Sequence, residues 1–183
     1  MITKIIIAGS GGQGIMLLGK VLAETAMRKG LQVSWFPSYG AEVRGGSAHC
    51  MVVISDDSIG SPYIEKADCL VAMNNVSFEK FKDRIYPGAL LIANSSFIKR
   101  PSAPKAKIIS LDLSEEARVI GDVRIANMIA LGVLCGMTHI ATEANVAEAV
   151  TAVAPPGKQH LIEINLKALA FGFSQAQLHK GRK

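Results

Sequence analysis

The stretch KIIIAGSGGQGIMLLGK, residues 4–20, constrains the fold more tightly than any other. Ile5, Ile6 and Ile7 run without polar alternation, the pattern of a strand buried on both faces. Gly9, Gly11, Gly12 and Gly14 follow at once. Ile15, Leu18, Val21, Leu22 and Ala26 then recur at helical spacing until Gly30 stops the run. The pattern predicts a strand, a tight glycine turn and a helix from about Gln13 to Lys29. LQVSWF, Leu31 to Phe36, predicts a second strand, so the opening segment reads as one right-handed strand–helix–strand crossover.

The same alternation of elements continues. SAHCMVVIS, CLVAM, ALLIAN and AKIISLDL read as further strands, with short helices at about Ser77 to Arg84 and over SEEARVIG, the latter capped by Asp112 or Ser114. Ile125 to Met137 is apolar on nearly every face, which predicts a helix buried in the domain or against another chain. Asn145–Val153 and His160–Gln177 read as two last helices, separated by Pro155–Pro156–Gly157, and Ile162, Leu166, Leu169 and Phe173 share one face of the second. The expected architecture is one three-layer α/β/α domain over residues 1–183, with a mostly parallel Rossmann-like sheet and a flexible tail at about 179–183.

Composition removes several classes. Apolar residues make up 49% and charged ones 19%, enough for a substantial core, and aromatics are only 5%. Of the formal charge of +5, part sits in Lys180, Arg182 and Lys183, which crowd the tail with His179, and no basic stripe is interleaved with aromatics, which argues against nucleic-acid binding. Cys50, Cys69 and Cys135 stand singly in apolar surroundings without a C-x-x-C pair, so neither zinc nor an iron–sulfur cluster has a ligand run here. The chain enters a strand directly, and its longest apolar stretch is shorter than the ~20 residues of a membrane span. A cytoplasmic protein is expected.

Gly9-Ser10-Gly11-Gly12-Gln13-Gly14 satisfies G-x-G-x-x-G, whose bare amides and helix N-terminus suit a phosphate. Two readings stand: a phosphate-facing loop, or a turn that only permits a close strand–helix crossing. A nicotinamide dinucleotide would need an acidic residue at the end of the second strand, where the sequence has Trp35-Phe36-Pro37-Ser38. Gly19-Lys20 is followed by Val21 inside the helix, so this is not a P-loop either. The loop YGAEVRGG, Tyr39 to Gly46, is expected beside the glycine turn at the carboxyl edge of the sheet, with Arg44 placed to reach a phosphate or carboxylate. His49 and Cys50 lack any recognisable catalytic partner, and the sequence contains no evident nucleophile, carboxylate pair or metal cluster.

GSGGQG followed by PSYGAEVRGGSAHC, with ADCLVAMN, PGALLIANSS and RIANMIALG, resembles the gamma subunit of the 2-oxoacid:ferredoxin oxidoreductases along essentially the whole chain. The resemblance implies a multi-subunit enzyme that oxidatively decarboxylates a 2-oxoacid to an acyl-coenzyme A with reduction of ferredoxin. It further implies thiamine diphosphate, Mg and Fe–S clusters in the other chains, namely thiamine-binding alpha and beta subunits and a ferredoxin-like delta subunit. This chain alone is then expected to bind no cofactor and to be inactive by itself. A chain of this length without a fused ferredoxin domain is similar to those of four-subunit enzymes, and the overall character leans toward the 2-oxoglutarate type, which makes succinyl-CoA. Pyruvate, branched-chain or indolepyruvate enzymes of the family, and a stand-alone nucleotide- or coenzyme A-binding module, are the alternatives. Gly9, Gly11, Gly12, Gln13 and Gly14 match the first motif; Tyr39, Gly40, Glu42, Arg44, Gly45 and Gly46 match the second, with Ala41 where many members carry Pro. All face the coenzyme or a neighbouring subunit in this reading, with no catalytic residue among them. The faces Ile125–Met137 and Ile162–Phe173 are the expected docking patches.

Overall fold

β1 (Ile2–Ser10) is the axis of the molecule. Ile5 and Ile7 enter one core and Ile6 and Ala8 the other, all fully buried, which is why the isoleucine run needs no polar alternation. The computed structural model describes residues 1–40, 46–154, 157 and 159–181. Its other strands are β2 (Gln32–Tyr39), β3 (Ser47–Ser55), β4 (Ala67–Ala72), β5 (Ile85–Asn94) and β6 (Lys107–Leu111). They form one six-stranded sheet in the order β2-β3-β1-β4-β5-β6.

The sheet is mostly parallel, with one reversal that matters for function. β1, β4, β5 and β6 are neighbours running the same way, whereas β3 runs antiparallel to both β1 and β2. The crossover leaving β1 therefore reaches β2 only beyond an intervening strand. β2 and β3 form a hairpin whose last pair is Tyr39 with Ala48, and the Gly40 N–H donates to the Ser47 carbonyl at 2.8 Å. That hairpin delivers its loop to the carboxyl end of β1, where Ser10 pairs with Ser47.

Two unequal layers cover the sheet. One face carries α1 (Ile15–Arg28), α3 (Leu113–Ile120), α4 (Ala126–Thr138), α5 (Glu143–Val153) and α6 (Ile162–Lys180). The other carries α2 (Asn75–Phe81) and coil that includes Ile64, Ile98 and Ala103. Three boundaries differ from the sequence reading, two of them through polar caps. Asn74 accepts from the Ser77 N–H and starts α2 earlier, and Thr142 forms a capping box with Asn145 that starts α5 earlier. α6 extends through Lys180.

α4 resolves the alternative left open for its sequence. Ala126 to Cys135 are all buried within this domain, so the face Ile125–Met137 is core and not an exposed docking patch. Leu169 and Phe173 of α6 are likewise buried in the same core, which removes much of the second expected patch. The two helices approach closely because both are notched. A Cβ on Gly132 would strike the Leu169 carbonyl oxygen and lie 2.9 Å from the Gly172 Cα, and a Cβ on Gly172 would strike the Ile129 carbonyl oxygen. Backbone cannot yield as a side chain can.

Gly132→Ala and Gly172→Ala are each expected to lower stability by about 1–3 kcal/mol through overpacking. Urea unfolding of the two variants checks this, and a midpoint at the wild-type value in either would contradict the notched crossing.

Candidate functional site

The chain must end β1 and begin α1 within four residues, Gly11 to Gly14, and it does so with two left-handed glycines. Gly12 has φ +95° and Gly14 has φ +71°, a region where a side chain costs about 1–2 kcal/mol. The Gly11 N–H donates to the Gly46 carbonyl at 3.0 Å and the Gln13 N–H to the Ser10 carbonyl at 3.1 Å. Gly46, the last residue of the second motif, is therefore hydrogen-bonded to the glycine turn. Leu18 makes the first helical bond, to the Gly14 carbonyl, and no side chain caps the helix. Among the described residues no acceptor meets the N–H groups of Gly12, Gly14, Ile15, Met16 or Leu17.

Side-chain amides brace the turn from behind. The Gln13 Oε1 accepts from the Ser10 N–H at 2.8 Å and from Asn74 Nδ2 at 3.2 Å, while its Nε2 donates to the Met73 carbonyl at 3.2 Å. Asn74 Nδ2 also donates to Ser10 Oγ at 2.6 Å. Fully buried Asn94 donates to Ser114 Oγ and to the same Met73 carbonyl. Buried Asn127, at the start of α4, donates through Nδ2 to the Gly14 carbonyl at 3.1 Å. Gln13 thus shapes the turn from within, and its side chain is committed to these bonds. Sequence reading places Asn74 at a strand's carboxyl end but assigns no role to it, to Asn94 or to Asn127. Their signal was position: an amide at each strand's carboxyl end or at a helix start.

In front of the turn lie three cavities that share Gly12. One of about 290 Å³ is bounded by Ser10, Gly11, Leu17, Tyr39 and Ala48. A second, of about 170 Å³, adds Gln13, Met73, Phe97, Val123 and Arg124. The third, of about 200 Å³, adds Gly14, Leu17, Asp122, Arg124 and Asn127. A Cβ on Gly12 would touch nothing within 4 Å, so the space opposite it is open. Exposed Leu17, Tyr39, Val76, Phe97 and Val123 all lie at this carboxyl edge, giving a polar centre an apolar rim. This rim, unlike the two helix faces, is an exposed apolar surface beside the turn.

Gly9, Gly11, Gly12, Gln13, Gly14, Tyr39, Gly40 and Gly46 are thus gathered at one edge, while Glu42, Arg44 and Gly45 (with Ala41) lie outside the described residues. His49 packs its ring 4.9 Å from that of Phe81, and burial, with Lys80 and Arg84 nearby, holds its pKa below the ordinary value. It is a neutral structural ring. Burial pushes the thiols of Cys50, Cys69 and Cys135 up to about 12, so none supplies a thiolate near neutrality. No group of three or more His, Cys, Asp or Glu among the described residues is arranged to hold a metal, and no helix among them is long and apolar enough to cross a membrane. The dinucleotide reading weakens further here. β2, the strand that would carry the ribose-binding acid, stands one strand away from β1 and ends in Ser38-Tyr39.

Comparison with known proteins gives the same picture of kinship. The family model described as pyruvate ferredoxin/flavodoxin oxidoreductase matches residues 4–175. Ketoisovalerate oxidoreductase subunit VorA of Methanothermobacter thermautotrophicus is 36% identical over 95% of this chain, which spans only 36% of that relative. 2-Oxoglutarate synthase subunit KorC of the same organism is 34% identical, with 92% of each chain covered. Among solved structures, the gamma subunit of a keto/oxoacid ferredoxin oxidoreductase from Geobacter sulfurreducens superposes with a TM-score of 0.83 at 28% identity, covering 96% of this chain and 99% of that one. 2-Oxoglutarate:ferredoxin oxidoreductase from Magnetococcus marinus, solved with 2-oxoglutarate, coenzyme A and succinyl-CoA bound, gives a TM-score of 0.88 at 27% identity, covering 97% of this chain and 31% of that one.

The two left-handed glycines should respond differently to a methyl group. Gly12→Ala carries the backbone cost alone, about 1–2 kcal/mol. Gly14→Ala costs more, because its Cβ would land on the Asn127 carboxamide, and adding Asn127→Ala returns part of the difference. Denaturant unfolding of the single and double variants measures this coupling. Equal losses at both glycines with no coupling to Asn127 would contradict the brace.

Proposed function

The chain belongs to the pyruvate ferredoxin/flavodoxin oxidoreductase family, and from that premise we propose that it is the gamma subunit of a cytoplasmic, multi-subunit 2-oxoacid:ferredoxin oxidoreductase acting on 2-oxoglutarate. The overall reaction takes 2-oxoglutarate and coenzyme A to succinyl-CoA and CO₂, with two electrons passed to ferredoxin. Thiamine diphosphate, Mg and Fe–S clusters are assigned to alpha, beta and delta subunits. The three thiols of this chain are buried and stand in no C-x-x-C pair.

The observation that carries the reading is the glycine turn itself: N–H groups at the head of α1 that meet no acceptor among the described residues, open space before Gly12 and an apolar rim around them. Backbone donors of this kind suit the phosphates of coenzyme A, and the rim suits its apolar arm or an adjoining subunit. Gly9, Gly11, Gly12, Gly14, Tyr39 and Gly46 shape that face. Glu42, Arg44 and Gly45 of the second motif are assigned to the same role, Arg44 as a phosphate contact. The 2-oxoglutarate assignment leans on the end-to-end match to KorC. A branched-chain 2-oxoacid enzyme is the second reading, favoured by the higher identity to VorA, a protein this chain spans for about a third of its length.

The test is to purify the chain from its native cells, identify its companions by mass spectrometry, and assay coenzyme A-dependent reduction of a viologen dye by each 2-oxoacid. Companions with a thiamine-binding signature and a ferredoxin-like cysteine run, with 2-oxoglutarate preferred, are expected. A preference for 3-methyl-2-oxobutanoate would transfer the assignment to the branched-chain enzyme. A lone polypeptide inactive with every 2-oxoacid would overturn the subunit reading.

A further inference from the structure

The segment leading into α4 holds a charged pair that the sequence motifs did not single out. Asp122 accepts the Arg124 backbone N–H at 2.8 Å and caps a 3₁₀ turn, Val123–Ile125. The same carboxylate binds the Arg124 side chain: Nε lies 3.0 and 2.9 Å from its two oxygens, and Nη2 lies 2.5 Å from Oδ2. One acid therefore fixes both the backbone and the guanidinium of Arg124. Such a fork needs ordering before it can recognise an anion, and here the ordering precedes any ligand.

Position gives the pair its meaning. Arg124 borders two of the cavities that meet at Gly12, one holding Phe97, Val123 and Ser114 and the other Gly14, Leu17 and Asn127. The Arg124 side chain is 73% exposed although paired, and its Nη1 makes no bond among the described residues. Asp122 is only 22% exposed, which puts the cation outermost and the acid behind it. The hydrogen bond from Arg124 holds the Asp122 carboxyl below the ordinary carboxylate range, so the pair stays ionised at any physiological pH. Gly12 lines the same two cavities, with an N–H that meets no acceptor among the described residues and nothing within 4 Å of a Cβ there. A fixed guanidinium and a peptide donor thus border the same cavities.

We propose that the Asp122–Arg124 pair forms the second wall of the glycine-turn cleft, with Arg124 contacting a phosphate of the ligand and Asp122 as its positioning residue. The inference rests on the coenzyme A reading for the identity of the ligand. The phosphate chemistry follows from the pair and the cleft. Arg is suited to the role by its planar fork, since Nε and part of Nη2 engage Asp122 while the remaining N–H groups stay available.

The test uses the assembled complex carrying Arg124→Ala, Arg124→Lys or Asp122→Asn. Coenzyme A is compared with pantetheine, which has the same thiol and no phosphate. The ratio of kcat/KM for coenzyme A to that for pantetheine is expected to fall roughly tenfold in Arg124→Ala, the scale of one charge-assisted hydrogen bond. Arg124→Lys should recover part of the loss, and Asp122→Asn should show a smaller fall of the same kind. A loss shared equally by both thiols, or no loss, would overturn the proposal. Titration with inorganic pyrophosphate separates it from the coenzyme reading. A dissociation constant raised about tenfold in Arg124→Ala supports the pair even in a complex that ignores coenzyme A. An unchanged constant overturns it.

Discussion

One hydrogen bond across 113 residues of sequence ties the candidate site to the core: Asn127 Nδ2 to the carbonyl of Gly14. Gly14 is left-handed, caps α1 without a side chain, and accepts both this bond and the first helical bond from Leu18. Its partner sits at the head of α4, the most deeply buried helix of the domain. α4 in turn is held by its backbone-close crossing with α6, through Gly132 and Gly172. A chain of contacts thus runs from a packed helix pair to a turn whose N–H groups meet no acceptor among the described residues. Rigid support behind such donors is the arrangement a preorganised anion site requires.

The reversal of β3 distinguishes this sheet from a dinucleotide-binding one with the same fingerprint. In the dinucleotide fold the strand after the first helix lies beside β1 and brings an acid to the ribose. Here β3 takes that place, so the fingerprint keeps its glycine turn and helix start but has no acid-bearing strand beside β1. The β2–β3 hairpin brings the neighbourhood of the second glycine-rich motif against the first, through the bond between Gly11 and Gly46.

Much of this was legible because local rules and the global fold agree. The Ile5–Ile7 run, the stripe of α1 and the Asp112 cap each dictate the element they form. What escaped needed long-range information. No local pattern reveals that β3 is antiparallel, since its residues are buried on both faces in either direction. The uniform apolarity of α4 could not say which protein buries it; the glycine notches facing α6 settle that within the domain. Asn127 and the Asp122–Arg124 pair lie more than a hundred residues from the glycine motif. Their link to it exists only after the sheet has formed. The exposed apolar rim was missed for a similar reason, because Leu17, Tyr39, Phe97 and Val123 come from four separate segments.

The central claim is that the braced glycine turn presents its free amides to a ligand at the carboxyl edge of the sheet. Hydrogen–deuterium exchange of the assembled complex, with and without coenzyme A, tests it most directly. The account predicts slowed exchange of the amides from Gly12 to Leu17 when the coenzyme is added. Unchanged exchange there, in a complex saturated with coenzyme A and protected elsewhere, would contradict it.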